Sequence, residues 1–394
     1  MVLGMRTLVV LARNPFDSED GGAYAIRASL RVLGSAGPVL LTGFGEAFDQ
    51  PLVGPYLGCG SLGTVANSHG RFAMSLISQL PFALLKYASP EARTRFRRIV
   101  AAGGFDLIWY EQSHAAAAAY VSGMLSDAPR SAMHVLRAHN VEHRIVADRI
   151  EPVARILKPL LWVEARKLRV HELEMIRRMD RVFAMTPEDR DSLIAASGAV
   201  PGHIQWLPIP VRGGDRPPAP TGSRDAILFV GRCTWPPNRE AALWIVRRLA
   251  PILAKTLPHL RVRLVGSGTE AFRGAITSDN VDCLGFLPSL DPEYARAVCT
   301  VAPVRRGSGI NVKVLDSLAR GVPVVGTCFA RRGIDIDGVL IADSVEEFVQ
   351  QIRSCPSDPL TAERQATEIL ARFHRWADRT DTLWKQALLE GGLS

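Results

Sequence analysis

A glycine-rich turn followed by a lysine and an aspartate is the segment best suited to bind an anion. The turn Gly307-Ser308-Gly309 is followed by Ile310-Asn311, and Lys313 and Asp316 lie within the next predicted helix. Glycine lets the backbone approach a ligand, and the first turn of a helix offers N–H groups and a positive dipole end to an anion. Lys313 would add a positive charge, and the Asp316 carboxylate is placed to accept two ribose hydroxyls. The spacing therefore predicts a nucleoside-diphosphate site.

A second cluster, His139-Asn140-Val141-Glu142-His143, matches the His-x-x-Glu-His pattern of zinc hydrolases. In that chemistry two histidines one helical turn apart bind the metal, and the glutamate activates water. The pair must lie on a helix, whereas His139 directly follows a predicted strand and no third ligand is marked. Zinc hydrolysis by His139, Glu142 and His143 is therefore a remote alternative, beside a structural role and a metal-free binding role for His139.

The composition is that of an ordinary folded protein. The chain has 394 residues, 47% of them apolar and 22% charged, with a mean hydropathy of +0.08. These values exclude disordered, collagen-like and coiled-coil chains, and the length predicts two domains or at most three. The six cysteines are scattered without a Cys-x-x-Cys pair, so neither a zinc knuckle nor a disulfide framework is indicated and a reducing cytoplasm is expected.

The charge balance favours an anionic partner. A net charge of +8 and a pI near 9.4 suit a nucleotide, a nucleic acid or an acidic membrane face. No stretch combines basic and aromatic residues as nucleic-acid platforms do, so nucleic acid is not expected. The first apolar run, Thr7–Ala12, is too short for a secretion signal, and the alanine-rich stretch Ala115–Leu125 is too short to span a bilayer. The sequence thus predicts a cytoplasmic protein.

Short apolar runs that alternate with helical stretches predict an α/β fold with parallel sheets. The predicted strands of the first half are Thr7–Ala12, Pro38–Thr42, Asp106–Tyr110, Met133–Ala138 and Arg181–Met185. The pattern restarts after a Pro/Gly-rich segment, Arg212–Gly222, which is typical of a linker. The predicted strands of the second half are Ala226–Val230, Arg261–Val265, Val281–Gly285, Cys299–Pro303, Pro323–Gly326 and Gly338–Ile341. We expect two doubly wound, Rossmann-like domains at 1–212 and 213–372, and a C-terminal helix at 373–394.

Two predicted helices carry apolar stripes. In Val153–Met179 the stripe leaves a basic face, which is either solvated surface or, together with Arg93–Arg98, a peripheral contact to a membrane. In the last helix the stripe includes Trp376 and Trp384, two large side chains that need a surface to cover them.

The segment Ala302–Gly326 resembles the corresponding segment of retaining glycosyltransferases with the GT-B fold, in particular the large family four. That family has one glutamate in the loop and a second within the following helix; Ser308 and Asp316 stand at these places. A subgroup carries a Gly-Ser-Gly-x-x-x-Lys loop, which Gly307-Ser308-Gly309 and Lys313 reproduce. The resemblance implies that Ser308, Gly309 and the residues that follow bind the donor, with sugar contacts unlike those of a glutamate.

Other segments are similar to the same family. Gly231-Arg232 is similar to the end of a strand whose arginine contacts the donor diphosphate, and Gly266-Ser267 is similar to the loop beside the nucleobase. The glycine loop that contains Gly22 resembles the loop that faces the interdomain cleft. His139 occupies the place of a histidine that contacts the donor sugar.

The resemblance implies two Rossmann-like domains that face a cleft, the first for the acceptor and the second for the donor, with the last helix returning to the first domain. It implies a retaining transferase that moves a sugar from a UDP- or GDP-linked donor to a hydroxyl group of a glycan, a lipid-linked acceptor or a small molecule. His139, Arg232 and Lys313 would be catalytic, and no metal or other cofactor is expected, because Arg232 and Lys313 supply positive charge at the leaving diphosphate. A sugar-nucleotide epimerase and an inactive nucleotide-binding protein of the same fold are the alternatives. The segment Phe44–Leu62, which would contact the acceptor, has no decodable motif.

Overall fold

The computed structural model describes residues 4–18, 20–49, 56–65, 69–125, 131–148, 150, 155–200, 202–211 and 224–390. The chain forms two compact units. Unit 1 contains Met1–Pro210, Gly307–Gly309 and Thr382–Ser394, and unit 2 contains Val211–Arg306 and Ile310–Asp381. The predicted linker at 212–222 and the predicted boundary at 212/213 lie outside the described residues.

Unit 1 is built on a parallel sheet. Its strands are β1 (Thr7–Leu11), β2 (Val39–Gly43), β3 (Leu57–Ser61), β4 (Leu107–Glu111), β5 (Met133–Ala138), β6 (Arg181–Ala184) and β7 (Ile204–Trp206). They lie in the order β3-β2-β1-β4-β5-β6-β7. Every residue of β1 and β4 is buried, as expected of central strands covered by helices on both faces. The strand order reverses between β1 and β4, and ligands of open α/β sheets bind at the carboxyl ends of such strands.

The helices of unit 1 follow these strands. They are α1 (Gly21–Ala36), α2 (His69–Ile77), α3 (Phe82–Leu85), α4 (Pro90–Gly103), α5 (Ala117–Val121), α6 (Glu142–Asp148), α7 (Lys158–Arg178) and α8 (Pro187–Ser197). Side-chain caps fix several of their first turns. The Asp20 carboxylate accepts from the Ala23 N–H at 3.0 Å, and the Thr186 hydroxyl accepts from the Asp189 N–H at 3.0 Å. Each cap satisfies an N–H group that has no partner within its own helix.

Unit 2 repeats the architecture with six parallel strands. These are β8 (Ala226–Val230), β9 (Arg261–Val265), β10 (Val281–Gly285), β11 (Ala297–Ala302), β12 (Val324–Gly326) and β13 (Val339–Ile341), in the order β10-β9-β8-β11-β12-β13. The helices are α9 (Pro236–Trp244), α10 (Ala250–Thr256), α11 (Asp291–Arg296), α12 (Val312–Leu318), α13 (Val345–Ser354) and α14 (Pro359–Glu390). A π-helical turn, Ile245–Leu249, joins α9 to α10. The order reverses between β8 and β11, so unit 2 has a second switch point there.

The predicted parallel sheets are present in both units, but two strands were not predicted. β3 lies inside the segment Phe44–Leu62, which the sequence analysis left as a loop, and β7 has only three residues. The long helix predicted at Val153–Met179 begins at Lys158 and follows a 3-10 turn, Arg155–Leu157.

The last helix begins earlier than predicted, at Pro359 and not at residue 373. Its residues up to Asp381 belong to unit 2, and those from Thr382 belong to unit 1. In unit 1, Trp384 is fully buried, and its ring centroid lies 5.7 Å from that of Trp109. Its indole N–H donates to the Pro208 carbonyl at 2.8 Å.

All six cysteines are free thiols. Across the part of the chain that the structure describes, each helix is either too short or too polar to cross a lipid bilayer.

Candidate functional site

Two glycine loops of unit 2 interlock at the carboxyl ends of β8 and β9. The Gly231 N–H donates to the Val265 carbonyl at 2.9 Å, and the Cys233 N–H donates to the Ser267 carbonyl at 2.8 Å. Gly266 has φ +126°, and a Cβ atom there would lie 2.2 Å from the Gly231 oxygen. Only glycine fits this close backbone contact. The loops predicted from Gly231, Gly266 and Ser267 therefore meet.

Lys313 extends from α12 toward β8 and the helix that follows it, α9. Its Nζ donates to Asn238 Oδ1 at 2.6 Å and lies 5.3 Å from the centre of the Phe229 ring. No carboxylate pairs with it among the residues that the structure describes. Burial lowers the pKa of Lys313 to about 8, because the desolvated cation has no anionic partner nearby. A partly buried ammonium in this state is suited to an anionic ligand.

Asn238 connects Lys313 to the loop that holds Arg232. Besides accepting from Lys313, its amide Nδ2 donates to the Arg232 carbonyl at 3.1 Å. The side chain of Asn238 lies 3.1 Å from the point where a Cβ of residue 231 would be, so Gly231 leaves room for it. The sequence analysis did not assign Asn238 a role; its signal is its position on α9, the helix that follows β8.

Asp316 has partners within unit 2. Its Oδ2 accepts from the Tyr294 hydroxyl at 2.8 Å, and its Oδ1 pairs with Arg320. Burial and the nearby Asp316 charge raise the pKa of Tyr294 well above its usual value. The carboxylate predicted to bind ribose is thus fixed by a tyrosine and an arginine. Ile310 and Asn311 lead into α12, which has only seven residues, so little dipole is available at its start.

The glycine turn Gly307–Gly309 is held in unit 1 by Asp189. The Ser308 hydroxyl donates to Asp189 Oδ1 at 3.1 Å and accepts from the Val141 N–H at 2.8 Å. The Gly309 N–H donates to Asp189 Oδ2 at 2.9 Å. The Gly309 N–H, which the sequence analysis left open for an anion, therefore has a carboxylate partner, and Ser308 also has two protein partners.

The same turn lies against the segment that begins with His139. Gly309 has φ +76°, and a Cβ atom there would be 2.4 Å from the His139 carbonyl oxygen. The structure thus brings His139 together with Ser308 and Gly309, as members of one compact cluster. Asp189, which organises it, was missed by sequence reasoning, because an acidic residue in the first turn of a helix is common and carries no distinctive motif.

The His139 imidazole is fixed by a buried carboxylate. Its Nε2 is hydrogen-bonded to Glu111, at the end of β4, and the other oxygen of Glu111 accepts from the Trp109 indole N–H at 2.9 Å. Burial alone would raise the pKa of Glu111, but the hydrogen bond with His139 and the Arg137 charge hold that pKa below its usual value. Burial lowers the pKa of Arg137 to about 10, against the opposing effect of Glu111. Because Glu111 occupies Nε2, Nδ1 is the imidazole nitrogen left for another contact.

Gln112, next along the chain, has an unusual backbone conformation. It has φ +79°, and its N–H donates to the Arg137 carbonyl at 3.0 Å. Left-handed backbone at a residue other than glycine is uncommon and clusters at functional sites. Sequence reasoning missed both Glu111 and Gln112, although they follow β4 at the switch point of the sheet.

Gly22 lies opposite Gln112 at this switch point. A Cβ on Gly22 would be 3.0 Å from Arg13 Nη2 and 4.0 Å from Gln112 Nε2. Arg13 forms a bidentate pair with Asp20, which holds the pKa of Asp20 well below its usual value despite its burial. Gly22 therefore leaves room for the Arg13–Asp20 pair beside the first turn of α1.

The zinc-hydrolase alternative does not fit the local geometry. α6 begins at Glu142, so His139 precedes the helix and the two histidines are not one helical turn apart. His143 Nδ1 bonds to Glu172 at 2.7 Å, whereas His139 bonds to Glu111. Within the described residues, no group of three or more His, Cys, Asp or Glu side chains could hold a metal ion.

Comparison with known proteins gives the class of this chain. Residues 224–358 match the family model of Glycosyl transferases group 1. A 44.6 kDa protein in the cps region of Klebsiella pneumoniae, itself uncharacterised, is 22% identical over 345 residues, which is 83% of this chain and 84% of that protein.

Two solved structures resemble the chain over nearly its full length. HepE of Anabaena in complex with UDP-glucose has a TM-score of 0.63 at 12% identity and covers 98% of this chain and 100% of its own. The α,α-trehalose 6-phosphate synthase of Burkholderia multivorans has a TM-score of 0.61 at 14% identity and covers 98% of each chain. At these identities the likeness shows the fold alone, which is the predicted GT-B fold. The family match itself covers residues 224–358 and gives that segment of unit 2 as a glycosyltransferase group 1 domain.

Proposed function

We propose that the protein is a retaining glycosyltransferase that moves a sugar from a UDP- or GDP-linked donor to a hydroxyl group of a glycan, a lipid-linked acceptor or a small molecule in the cytoplasm. Family four and its Gly-Ser-Gly-x-x-x-Lys subgroup are part of this proposal. The match of residues 224–358 to a glycosyltransferase domain supports it, as does the complex of HepE, a protein of the same fold, with UDP-glucose.

The observation that carries the proposal is the environment of Lys313. Its amine is removed from water, bonded to a neutral amide and lowered in pKa to about 8. A diphosphate would supply the anion that this amine lacks, and Asn238 would hold the amine in place. The interlocked glycines let the loops after β8 and β9 pack against each other and against Asn238, the residue that holds Lys313.

The proposed chemistry is electrostatic. Negative charge develops on the diphosphate as the bond to the sugar breaks, and preorganised cations stabilise that charge. Lys313 and Arg232 are proposed to do this without a metal. Retention would follow from attack of the acceptor hydroxyl on the face that the diphosphate leaves, with a phosphate oxygen accepting the hydroxyl proton. His139 is proposed to contact the sugar through Nδ1, with Glu111 fixing the ring.

A thermal-shift panel tests the donor site. The purified protein is heated with UDP, GDP, ADP or dTDP, each with and without a chelator. A ligand that binds only the native state at a hundredfold excess over Kd adds about 2.7 kcal/mol to the free energy of unfolding. We expect a rise in Tm that is selective for one base and unchanged by the chelator. Lys313→Met should clearly reduce the rise, while Lys255→Met, on an exposed lysine of α10, should keep it in full.

The stereochemistry needs a second measurement. Incubation with the matching nucleotide sugar and an acceptor should give a product whose anomeric proton has the coupling constant of the donor configuration by NMR. Inversion would contradict the retaining assignment. Conversion of the donor sugar in the absence of any acceptor would instead support the epimerase alternative, and nucleotide binding without turnover would support the inactive one.

A further inference from the structure

One surface of unit 1 exposes an unusual number of large apolar side chains. They lie on α2, on the 3-10 turn Arg155–Leu157 and on α7, and they are Met74, Leu76, Ile77, Ile156, Leu157, Trp162, Val163 and Val170. Ile77 is 90% exposed, Ile156 86% and Trp162 54%. We call this set, with Arg166 and Arg169, the apolar-basic surface. More than half of the large apolar side chains exposed in the described chain belong to it.

The two helices that carry this surface are packed side by side. Lys167 Nζ on α7 donates to the Ser75 carbonyl of α2 at 2.6 Å, and Glu164 Oε2 accepts from the Phe82 N–H of α3 at 2.7 Å. The His171 imidazole meets the Gln79 carbonyl at 3.1 Å. One side of α7 thus faces α2 and α3.

A second side of α7 faces the core of unit 1, where Ala165 and Leu168 are buried. The third side faces solvent and carries Trp162, Val163, Arg166, Arg169 and Val170. With about 3.6 residues per turn, Val163 and Val170 lie at the edge of this side nearest α2. Two helices in contact with each other thus both expose large apolar side chains to solvent.

The charge on this surface has a single sign. Arg166 and Arg169 are exposed, and neither has an ion pair within the described ranges. The three acidic residues of α7 have partners of their own. Glu164 binds Lys167 and α3, Glu172 accepts from the first N–H groups of α6, and Glu174 accepts from the Tyr120 hydroxyl and pairs with Arg178. The sequence from residue 69 to residue 88 contains no aspartate or glutamate.

We propose that the apolar-basic surface docks on a membrane that contains anionic lipid. Its side chains suit both regions at the face of such a membrane. Isoleucine and tryptophan enter the boundary of the acyl-chain region, and arginine reaches the phosphates of the headgroups. A second copy of the chain fits poorly, because a two-fold contact sets this surface against its own copy, and among the described residues that surface offers Arg166 and Arg169 no unpaired carboxylate. This differs from the basic face expected from the sequence alone, since three of its eight exposed apolar residues lie on α2.

Flotation with lipid vesicles tests this proposal without any need for catalysis. The full chain is mixed with vesicles of phosphatidylcholine alone or with about one third phosphatidylglycerol. We expect binding to the anionic vesicles only. Arg166→Gln with Arg169→Gln should reduce the partition coefficient about 25-fold, from about fivefold per charge. Ile77→Ser with Trp162→Ser should reduce it at least about tenfold, from the apolar area lost to the bilayer.

Matched controls carry the same changes elsewhere. Arg247→Gln with Arg248→Gln alters two exposed arginines of unit 2, and Val200→Ser alters an exposed apolar residue of unit 1. Both should bind vesicles like the wild type. No binding to anionic vesicles, or equal loss in the controls, would overturn the proposal. A concentration-dependent dimer in sedimentation equilibrium that disappears with Ile77→Ser would assign the surface to a second copy instead. Nucleotide binding is measured separately, so an absence of vesicle binding would not contradict the proposed donor site.

Discussion

The ammonium of Lys313 gives a sharp test of the diphosphate site, because its charge depends on pH in a convenient range. Burial disfavours the cation and lowers the pKa of Lys313 to about 8. A bound diphosphate favours the cation, so nucleotide binding should raise this pKa and take up a proton. The affinity for UDP, or for the nucleotide selected in the thermal-shift panel, should therefore fall as the pH rises through about 8.

The size of this effect follows from the protonated fraction of Lys313. With a pKa of about 8, that fraction falls from about nine tenths near pH 7 to about one tenth near pH 9. If only the protonated form binds well, the apparent Kd rises about tenfold, which corresponds to about 1.4 kcal/mol. Lys313→Met removes the charge-assisted hydrogen bond and should weaken binding near pH 7 by about 1.5–3 kcal/mol.

Isothermal titration calorimetry measures both the Kd of the nucleotide and the proton uptake on binding. The wild type is titrated with nucleotide between about pH 7 and pH 9, in two buffers with different heats of ionisation, which reveals the proton uptake. Lys313→Arg is the matched control, because its guanidinium stays charged over the whole range and reports any titration of the nucleotide itself. A wild-type Kd that follows the Lys313→Arg curve, without proton uptake, would refute the pH argument. Unchanged binding by Lys313→Met would remove Lys313 from the site.

Three further changes test the described contacts by thermal and chemical denaturation of the nucleotide-free protein. Asp189→Ala leaves the Ser308 hydroxyl and a backbone N–H without their partner and should lower the free energy of unfolding by about 1–3 kcal/mol, whereas Ser308→Ala should cost less. Trp384→Ala should cost about 3–5 kcal/mol, and Trp384→Phe, which loses only the bond to Pro208 and part of the ring, clearly less. Glu111→Gln should destabilise the protein at neutral pH by about 3–5 kcal/mol. Because the pKa of Glu111 is lowered by folding, this difference should shrink as the pH falls below the usual carboxyl range.

Most strands could be predicted because a buried parallel strand is a short, uninterrupted apolar run. Met133–Ala138, Ala226–Val230 and Arg261–Val265 were predicted with the bounds that the structure gives them. β3, Leu57–Ser61, was not predicted, because two of its five residues are glycines, which have no side chain to pack and a low strand propensity. Its stability comes from pairing with β2, and a local pattern does not contain that information.

The candidate site was predictable only in part, for a related reason. Lys313 and the glycine loops follow strand ends, and their types and spacing indicate an anion site without reference to the rest of the chain. The partners that fix them come from distant sequence: Asn238 for Lys313, Asp189 for Ser308 and Glu111 for His139. Each is an ordinary polar residue in its own neighbourhood, and only the folded chain shows what it binds.

The burial of Trp384 bears on how the chain folds during synthesis. Unit 1 begins with the first strand made, yet Trp384 completes the packing around Trp109 and the Pro208 carbonyl. A ribosome that adds about 5–20 residues per second needs on the order of 10–35 s to pass from residue 211 to residue 384. During that interval the nascent first half keeps an apolar indole face uncovered. Both units are thus expected to complete their packing only when α14 is made, because its residues up to Asp381 belong to unit 2 and Trp384 belongs to unit 1.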